Sequence, residues 1–302
     1  MSSKNIQPWI SAFRLKTLPL ALSNTIIGSS LAAADEKFRW SVFCLAALTT
    51  IFLQIMSNMA NDYGDFVNGK DTAERIGPKR MVQSGEISPK TMLRGIILIG
   101  ILCAASGVSL ILIGTQGMDI TNLLVFGVLG IAAIAAAIKY TVGNNPYGYR
   151  GLGDIFVFVF FGLVGVIGTY FLHTQSFHWD LLLPASAIGF LSTGVLNMNN
   201  MRDYDADKNA GKRTIVVAMG EKKAAFYHLF LIVGAGLLTI VYTLLNYHSV
   251  WQWLFLLSFP IFALNLRKVF TYKNSKELYP ELGKLAFGCL FYSLTYGLGL
   301  IV

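Results

Sequence analysis

Nine apolar stretches of about 20 residues recur along this chain, at 17–34, 39–60, 91–113, 120–140, 153–174, 179–198, 224–246, 248–268 and 283–302. As a helix, each is long enough to cross the roughly 30 Å hydrocarbon core of a bilayer. The stretches are apolar around the whole helix, whereas a water-facing helix is apolar along one stripe. No alternating strand pattern accompanies them, which argues against a β-barrel. With 54% of 302 residues hydrophobic and 13% charged, the chain reads as an all-α polytopic membrane protein. Nine transmembrane helices form one domain over 1–302.

The loops supply the orientation. With nine spans, the N-terminus and the loops after spans two, four, six and eight share one side. All but two of the 24 Lys and Arg residues lie there; Lys37 and Arg39 are opposite. By the positive-inside bias that side is cytoplasmic, which predicts a multi-pass protein of the cell (inner) membrane with its N-terminus inside. The net charge of +8 then reflects topology and attraction to anionic membrane lipid. Nucleic acid is not an expected partner, because the basic residues are spread over separate membrane-bound loops.

The first span resembles a secretory signal: Lys4, Arg14 and Lys16 precede an apolar run that ends at Ala32-Ala33-Ala34. Ser23, Asn24 and Thr25 interrupt that run and make a poor signal core, so the span is expected to be retained. Cys44, Cys103 and Cys289 stand singly in apolar spans without metal-ligand spacing and read as buried small hydrophobes. The four histidines, His173, His178, His228 and His248, read as packing residues.

Carboxylates are distributed unevenly. Only Asp35, Glu36, Asp119 and Asp180 fall on the outer side; the other twelve of sixteen face the cytoplasm. Most form two clusters: Asn61, Asp62, Asp65, Asp71 and Glu74 after span two, and Asp203, Asp205 and Asp207 after span six. Asn61 and Asp65 are four apart, as are Asp203 and Asp207, so each pair shares a helix face. Like charges stacked on one face repel unless a cation lies between them. Each cluster is therefore laid out as half of a hard-cation site with oxygen ligands, and Mg²⁺ fits, since it takes one or two carboxylates and completes its shell with water and phosphate. Lys70, Arg75, Lys79 and Arg80 follow the first cluster, and Lys208, Lys212 and Arg213 the second. Acid beside base suits a metal–diphosphate: carboxylates for the ion, cations for the free phosphate oxygens.

A single charged juxtamembrane loop reads most simply as a solvated topology anchor. Two loops with the same order of Asp-rich helix end, glycine and basic residues favour a site, and hint at a weak internal duplication. A third cytoplasmic loop, KYTVGNNPYGYRGLGD (139–154), adds Lys139, Arg150 and Asp154 among glycines and tyrosines. It reads equally as an interfacial aromatic loop or as the lining of a cavity. A diphosphate site at the membrane surface above an oily bundle predicts a substrate with a charged head and an apolar tail, such as an allylic prenyl diphosphate. Its ionisation leaves a carbocation that an electron-rich ring attacks, best protected in a dry, aromatic-lined cavity.

At these residues the sequence resembles the UbiA superfamily of intramembrane prenyltransferases. Asn61 with Asp65 matches that family's N-x-x-x-D type motif, and Asp203 with Asp207 its D-x-x-x-D motif. The likeness extends over NDYGDFVNGKDTAERIGPKRMVQSGEIS (61–88), the 139–162 block, 200–220 and RLKTLPLALS (14–23), and is nearest to the branch that prenylates 1,4-dihydroxy-2-naphthoate. The resemblance implies helices around a central apolar cavity under a cytoplasmic polar cap. It further implies Mg²⁺-dependent transfer of a long prenyl chain from a prenyl diphosphate to an aromatic acceptor, dihydroxynaphthoate, with loss of its carboxylate, giving demethylmenaquinone. Asn61, Asp65, Asp203 and Asp207 would hold the metal–diphosphate, with Asp62 and Asp71 in support or one of them as base. Arg14, Arg75, Lys79, Lys139 and Arg213 are candidate phosphate contacts; Tyr147, Tyr149 and Arg150 are candidates for the acceptor site, Arg150 for the acceptor's carboxylate. Transfer to 4-hydroxybenzoate or homogentisate would use the same apparatus. A secondary transporter is the remaining alternative, but such folds place polar groups at mid-membrane. Here Asn24 and Asn197 are the modest exceptions.

Overall fold

In the computed structural model, which describes residues 6–71 and 76–302, the described residues form nine long helices and no strand. These are α1 (Gln7–Ala34), α2 (Trp40–Val67), α3 (Pro89–Gly114), α4 (Ile120–Lys139), α5 (Gly153–Thr174), α6 (Trp179–Arg202), α7 (Glu221–Leu245), α8 (Val250–Thr271) and α9 (Ser275–Ile301), all long and apolar enough to cross a bilayer. Each corresponds to one of the nine apolar stretches. The helix ends lie further out than hydropathy suggests: α2 runs past residue 60 to Val67 and α6 past 198 to Arg202. A helix continues into polar sequence as long as its backbone bonds propagate, so the acidic residues ride on the helix ends.

Packing follows chain order and then closes. α2 packs on α3, α5 on α6, α6 on α7 and α8 on α9, while α1 contacts α2, α5 and α9. The first and last helices therefore lie side by side. Small residues permit the tight crossings, as expected where lipid gives helices little hydrophobic reason to associate. A Cβ on Gly28 of α1 would lie 2.5 Å from the Val166 carbonyl oxygen of α5. Ser23 and Thr25 are fully buried and Asn24 nearly so, with the Thr25 hydroxyl donating to Asn24 Oδ1 at 3.1 Å. The residues that spoil α1 as a signal core are thus interior contacts of the bundle.

The histidines inside the bundle join helices. His173 Nε2 lies 2.9 Å from Ser29 Oγ, and its Nδ1 accepts the Arg39 N–H at 3.0 Å. His228 Nε2 lies 2.9 Å from Asn265 Oδ1. Of the cysteines, Cys103 and Cys289 are buried as expected, but Cys44 is exposed. Its thiol sits on a lipid-facing side of α2, where acyl chains accept an apolar group as readily as a protein core does.

α1 is broken at Arg14, whose φ of 50° separates Gln7–Phe13 from Leu18–Ala34. Asn58 of α2 holds this corner by donating from Nδ2 to the Phe13 carbonyl and to Thr17 Oγ1, each at 2.9 Å. The α5–α6 crossing supplies a test of the packing. A Cβ on Gly162 would lie 2.7 Å from both the Ala185 carbonyl oxygen and Gly189 Cα, both backbone atoms. Gly162→Ala is expected to lower stability by about 1–3 kcal/mol, as overpacking does. Gly127→Ala, where nothing lies within 4 Å, is the control that leaves the unfolding midpoint in detergent unchanged or higher.

Candidate active site

The two acidic motifs meet at one end of the bundle. Asn61, Asp62 and Asp65 stand on the last turns of α2, so they project from a rigid element. Asp203 follows the end of α6 and is succeeded by a short helix, Tyr204–Asn209, that carries Asp207. The axis bends at Asp203, yet the Asp207 N–H donates to the Asp203 carbonyl at 2.8 Å, preserving the four-residue register. Lys212 Nζ is 3.3 Å from Asp65 Oδ1 and 3.3 Å from Asp207 Oδ1. One cationic atom thus joins two carboxylates whose motifs are far apart in sequence.

Arg80 is the second shared cation. It is buried, hydrogen-bonds Asp65 Oδ2, and has its Nε 3.4 Å from Asp71 Oδ1. Burial works against its charge, but Asp65, Asp71, Asp62 and Asp203 outweigh burial and raise its pKa further above the ordinary arginine value. Asp203 is gripped by the adjacent Arg202, with Nε 2.8 Å from Oδ1 and Nη2 2.5 Å from Oδ2. Burial raises the pKa of Asp207, with Lys212 opposing the shift. Carboxylates and cations therefore alternate through a poorly solvated cluster, the arrangement that buried charge requires.

Local hydrogen bonds decide which basic residues turn inward. Asp62 accepts the Met81 N–H at 2.8 Å and the Val82 N–H at 3.1 Å, tying the returning loop to the end of α2. That anchor directs the Arg80 guanidinium to Asp65 and leaves Lys79 exposed, paired with Glu86. In the second loop Lys212 points in, while Arg213 is exposed and its N–H donates to the Tyr149 carbonyl at 2.8 Å. Lys70 Nζ donates to the Ala210 carbonyl at 2.5 Å, a further strap between the two motifs.

The glycine- and tyrosine-rich loop lies on the first motif. Thr141 Oγ1 donates to the Ala60 carbonyl at 3.1 Å and to Asn61 Oδ1 at 3.0 Å, and Asn68 Nδ2 donates to the Thr141 carbonyl at 2.8 Å. Gly64 permits this approach: a Cβ there would be 2.6 Å from the Thr141 carbonyl oxygen. Tyr149 donates its hydroxyl to Asp65 Oδ1 at 2.6 Å, and Lys212 Nζ lies 5.2 Å from the centre of its ring. Burial and the neighbouring Asp65 push the Tyr149 phenol well up, keeping it a donor. Tyr147 hydrogen-bonds the Ala136 carbonyl at 2.8 Å and stacks on Phe156 with centroids 4.0 Å apart.

Other expected site residues fall around this core. Arg150 is exposed on the same loop, and Lys139 is exposed at the end of α4. Arg14 is half-buried at the corner held by Asn58. Arg75 and Glu74 lie outside the described residues. Lys70, Arg80 and Lys212 are among the basic residues that follow the acidic clusters but not among the expected phosphate contacts, and Arg202 and Thr141 are not among the residues expected at the site. Asp154, which the third loop carries without an expected role, is buried with Oδ1 lacking a hydrogen-bond partner.

Removing Arg80 tests the cluster. Arg80→Ala removes the buried cation shared by Asp65 and Asp71 and is expected to destabilise the protein by about 3–5 kcal/mol. The double variant with Asp65→Asn should recover part of that loss in thermal unfolding. Equal loss in both would show that the ion pair is not what holds the loop.

Comparison with known proteins agrees with this geometry. The UbiA prenyltransferase family matches residues 21–293. The 1,4-dihydroxy-2-naphthoate octaprenyltransferase of Escherichia coli is 42% identical over 98% of this chain and 96% of its own length. The protein of the same name in Haemophilus influenzae is 43% identical over 100% of this chain and 98% of its own. Among solved structures, a UbiA homolog from Aeropyrum pernix aligns with a TM-score of 0.70 at 17% identity, over 95% of this chain and 98% of that one. A UbiA homolog from Archaeoglobus fulgidus bound to DMAPP and Mg²⁺ aligns with a TM-score of 0.64 at 16% identity, over 97% and 98%. At such identities the structural likeness speaks for the fold, and the sequence matches speak for the family. The chain belongs to the UbiA prenyltransferase family.

Proposed function

We propose that this prenyltransferase moves a long prenyl chain from a prenyl diphosphate to 1,4-dihydroxy-2-naphthoate, with loss of the acceptor's carboxylate, at the cytoplasmic face of the inner membrane. The observation that carries the reading is the convergence of Asp65 and Asp207 on Lys212 Nζ, 3.3 Å from each. The named activity of the two bacterial relatives supports the acceptor, and the charge asymmetry of the loops supports the orientation.

The donor set suits Mg²⁺. Asn61, Asp65, Asp203 and Asp207 offer hard oxygens alone. Among the described residues no three His, Cys, Asp or Glu side chains converge tightly enough to hold an ion. Mg²⁺ takes one or two carboxylates and fills its shell with water and phosphate oxygens, so its binding here would draw on the substrate as well as on these residues. Bound to these residues, the ion supplies positive charge that stabilises departing diphosphate. Arg80 and Lys212, within the cluster, and Arg14, Lys79, Lys139 and Arg213 around it, supply the cations for the phosphate oxygens; Arg75 completes the set expected from sequence.

Tyr147, Tyr149 and Arg150 form the acceptor side, with Arg150 facing the acceptor's carboxylate. Taking up the phenolic proton falls to Asp71 in preference to Asp62, both of whose oxygens already accept amide hydrogens from Met81 and Val82. The prenyl tail lies among the helices below, in the central apolar cavity expected of the family, where exclusion of water protects the allylic cation.

Asp65→Asn and Asp207→Asn are each expected to lower prenyl transfer by at least about a hundredfold, in line with removal of charge-stabilising groups elsewhere, in Mg²⁺-supplied membranes that contain the inserted protein. Unchanged turnover in either variant rules out the metal assignment. Purified protein given Mg²⁺, a prenyl diphosphate and a panel of aromatic acids should yield, by mass spectrometry, one product that lacks the acceptor's CO₂. A product from 4-hydroxybenzoate or homogentisate instead would move the chain to another branch of the family.

A further inference from the structure

A groove of about 520 Å³ opens between α8 and α9 at the charged end of the bundle. Its deep end is set by a close approach: a Cβ on Gly288 of α9 would lie 3.0 Å from Ile261 Cγ2 of α8. Beyond this crossing the two helices leave the groove between them. Its walls change character along its length. Ile261, Leu264 and Phe287 line the inner part; Arg267, Lys268 and Lys284 line the part nearest the charged end. Leu264 and Phe287 are 64% and 58% exposed, so the inner part presents apolar surface outward. At 1.5 Å per residue, Ile261 to Lys268 spans roughly 10 Å along α8, about the distance from upper acyl carbons to headgroup phosphate.

The charge at the mouth is unbalanced. Glu281 is the one carboxylate among the lining residues, and it is 2.8 Å from Lys284 Nζ. Lys268 pairs with Glu277 beside the groove. The Arg267 guanidinium, exposed at the mouth, makes no ion pair with a carboxylate among the described residues. Lys268 and Lys284 are each matched by an acid, so the exposed Arg267 leaves the mouth with a net positive charge, and a guanidinium fork matches phosphate geometry. Basic pockets between membrane helices at the cytoplasmic side are suited to anionic headgroups.

We propose that this groove binds an anionic glycerophospholipid, its phosphate at Arg267, Lys268 and Lys284 and one acyl chain against Leu264, Ile261 and Phe287. The lipid lies against both α8 and α9, which the Lys268–Glu277 pair joins beside the groove, and so braces α9, which packs on α1. The inference stands independently of the reaction proposed above, because no lining residue belongs to the acidic cluster.

Native mass spectrometry of the full chain, released from nanodiscs of phosphatidylglycerol mixed with phosphatidylcholine, tests this directly. The wild-type chain is expected to retain one phosphatidylglycerol in preference to phosphatidylcholine, and added phosphatidylglycerol should raise its unfolding midpoint in detergent. The double substitution Arg267→Gln with Lys284→Gln should reduce that preference by about tenfold, two surface cations having been lost. Leu264→Trp, which fills the apolar part and keeps every charge, should also displace the lipid, so the test does not rest on one variant. Equal retention of the two lipids, or a preference unchanged in both variants, overturns the proposal. So does displacement of the lipid by geranyl diphosphate from the wild-type chain, which would make the groove a binding place for the isoprenoid instead.

Discussion

Everything at the charged end of this protein depends on keeping carboxylates close together out of water. Asp65, Asp71, Asp203 and Asp207 would repel one another and resist burial if left alone, and each is matched by a cation. Arg80 comes from the loop after α2, Lys212 from the loop after α6, and Arg202 from the end of α6 itself. Because Arg80 and Lys212 are each shared between two acids, the cluster is one electrostatic unit rather than a set of pairs. It joins the α2 end, the α6 end and the loop after α4 into a cap.

The bundle below makes that cap possible by fixing where the helices end. α1 lies against α2, α5 and α9, and its buried Ser23, Asn24 and Thr25 belong to that interior. Glycine at the crossings lets backbones approach closely, so helix ends are held by rigid contacts rather than by the loops they carry. Function is thus divided by depth. In the proposed reading the polar cap handles charge, the helices hold the oily part of the substrate, and the groove between α8 and α9 holds a lipid phosphate.

Much of this was legible without coordinates, for reasons that can be named. Membrane spans require long runs with no charge, so the nine stretches and the basic bias of alternate loops follow from composition alone. The four-residue spacing of Asn61 with Asp65 and of Asp203 with Asp207 follows from helical geometry. Less legible was the choice among neighbours. Lys79 and Arg80, or Lys212 and Arg213, are equivalent as sequence, yet one of each pair turns inward because Asp62 fixes the amides of Met81 and Val82 and because Tyr149 takes the Arg213 amide. Likewise KYTVGNNPYGYRGLGD carried no sign that Thr141 and Tyr149 would fasten it to Asn61 and Asp65. Such contacts join residues about 80 positions apart, and no local periodicity encodes them.

The sequence alone therefore specified nine membrane-spanning stretches, a charge bias between alternate loops, and two acid-rich segments with basic flanks, since each rests on a local pattern of hydropathy, charge or helical spacing. The tertiary fold decided that the two halves face each other across Lys212, that Arg80 is the buried counter-ion, and that the tyrosine loop closes over the first motif. It also decided that α8 and α9 leave a cationic groove between them. Those outcomes depend on which helices become neighbours, and that is set by the packing of small residues along whole spans rather than by any one segment.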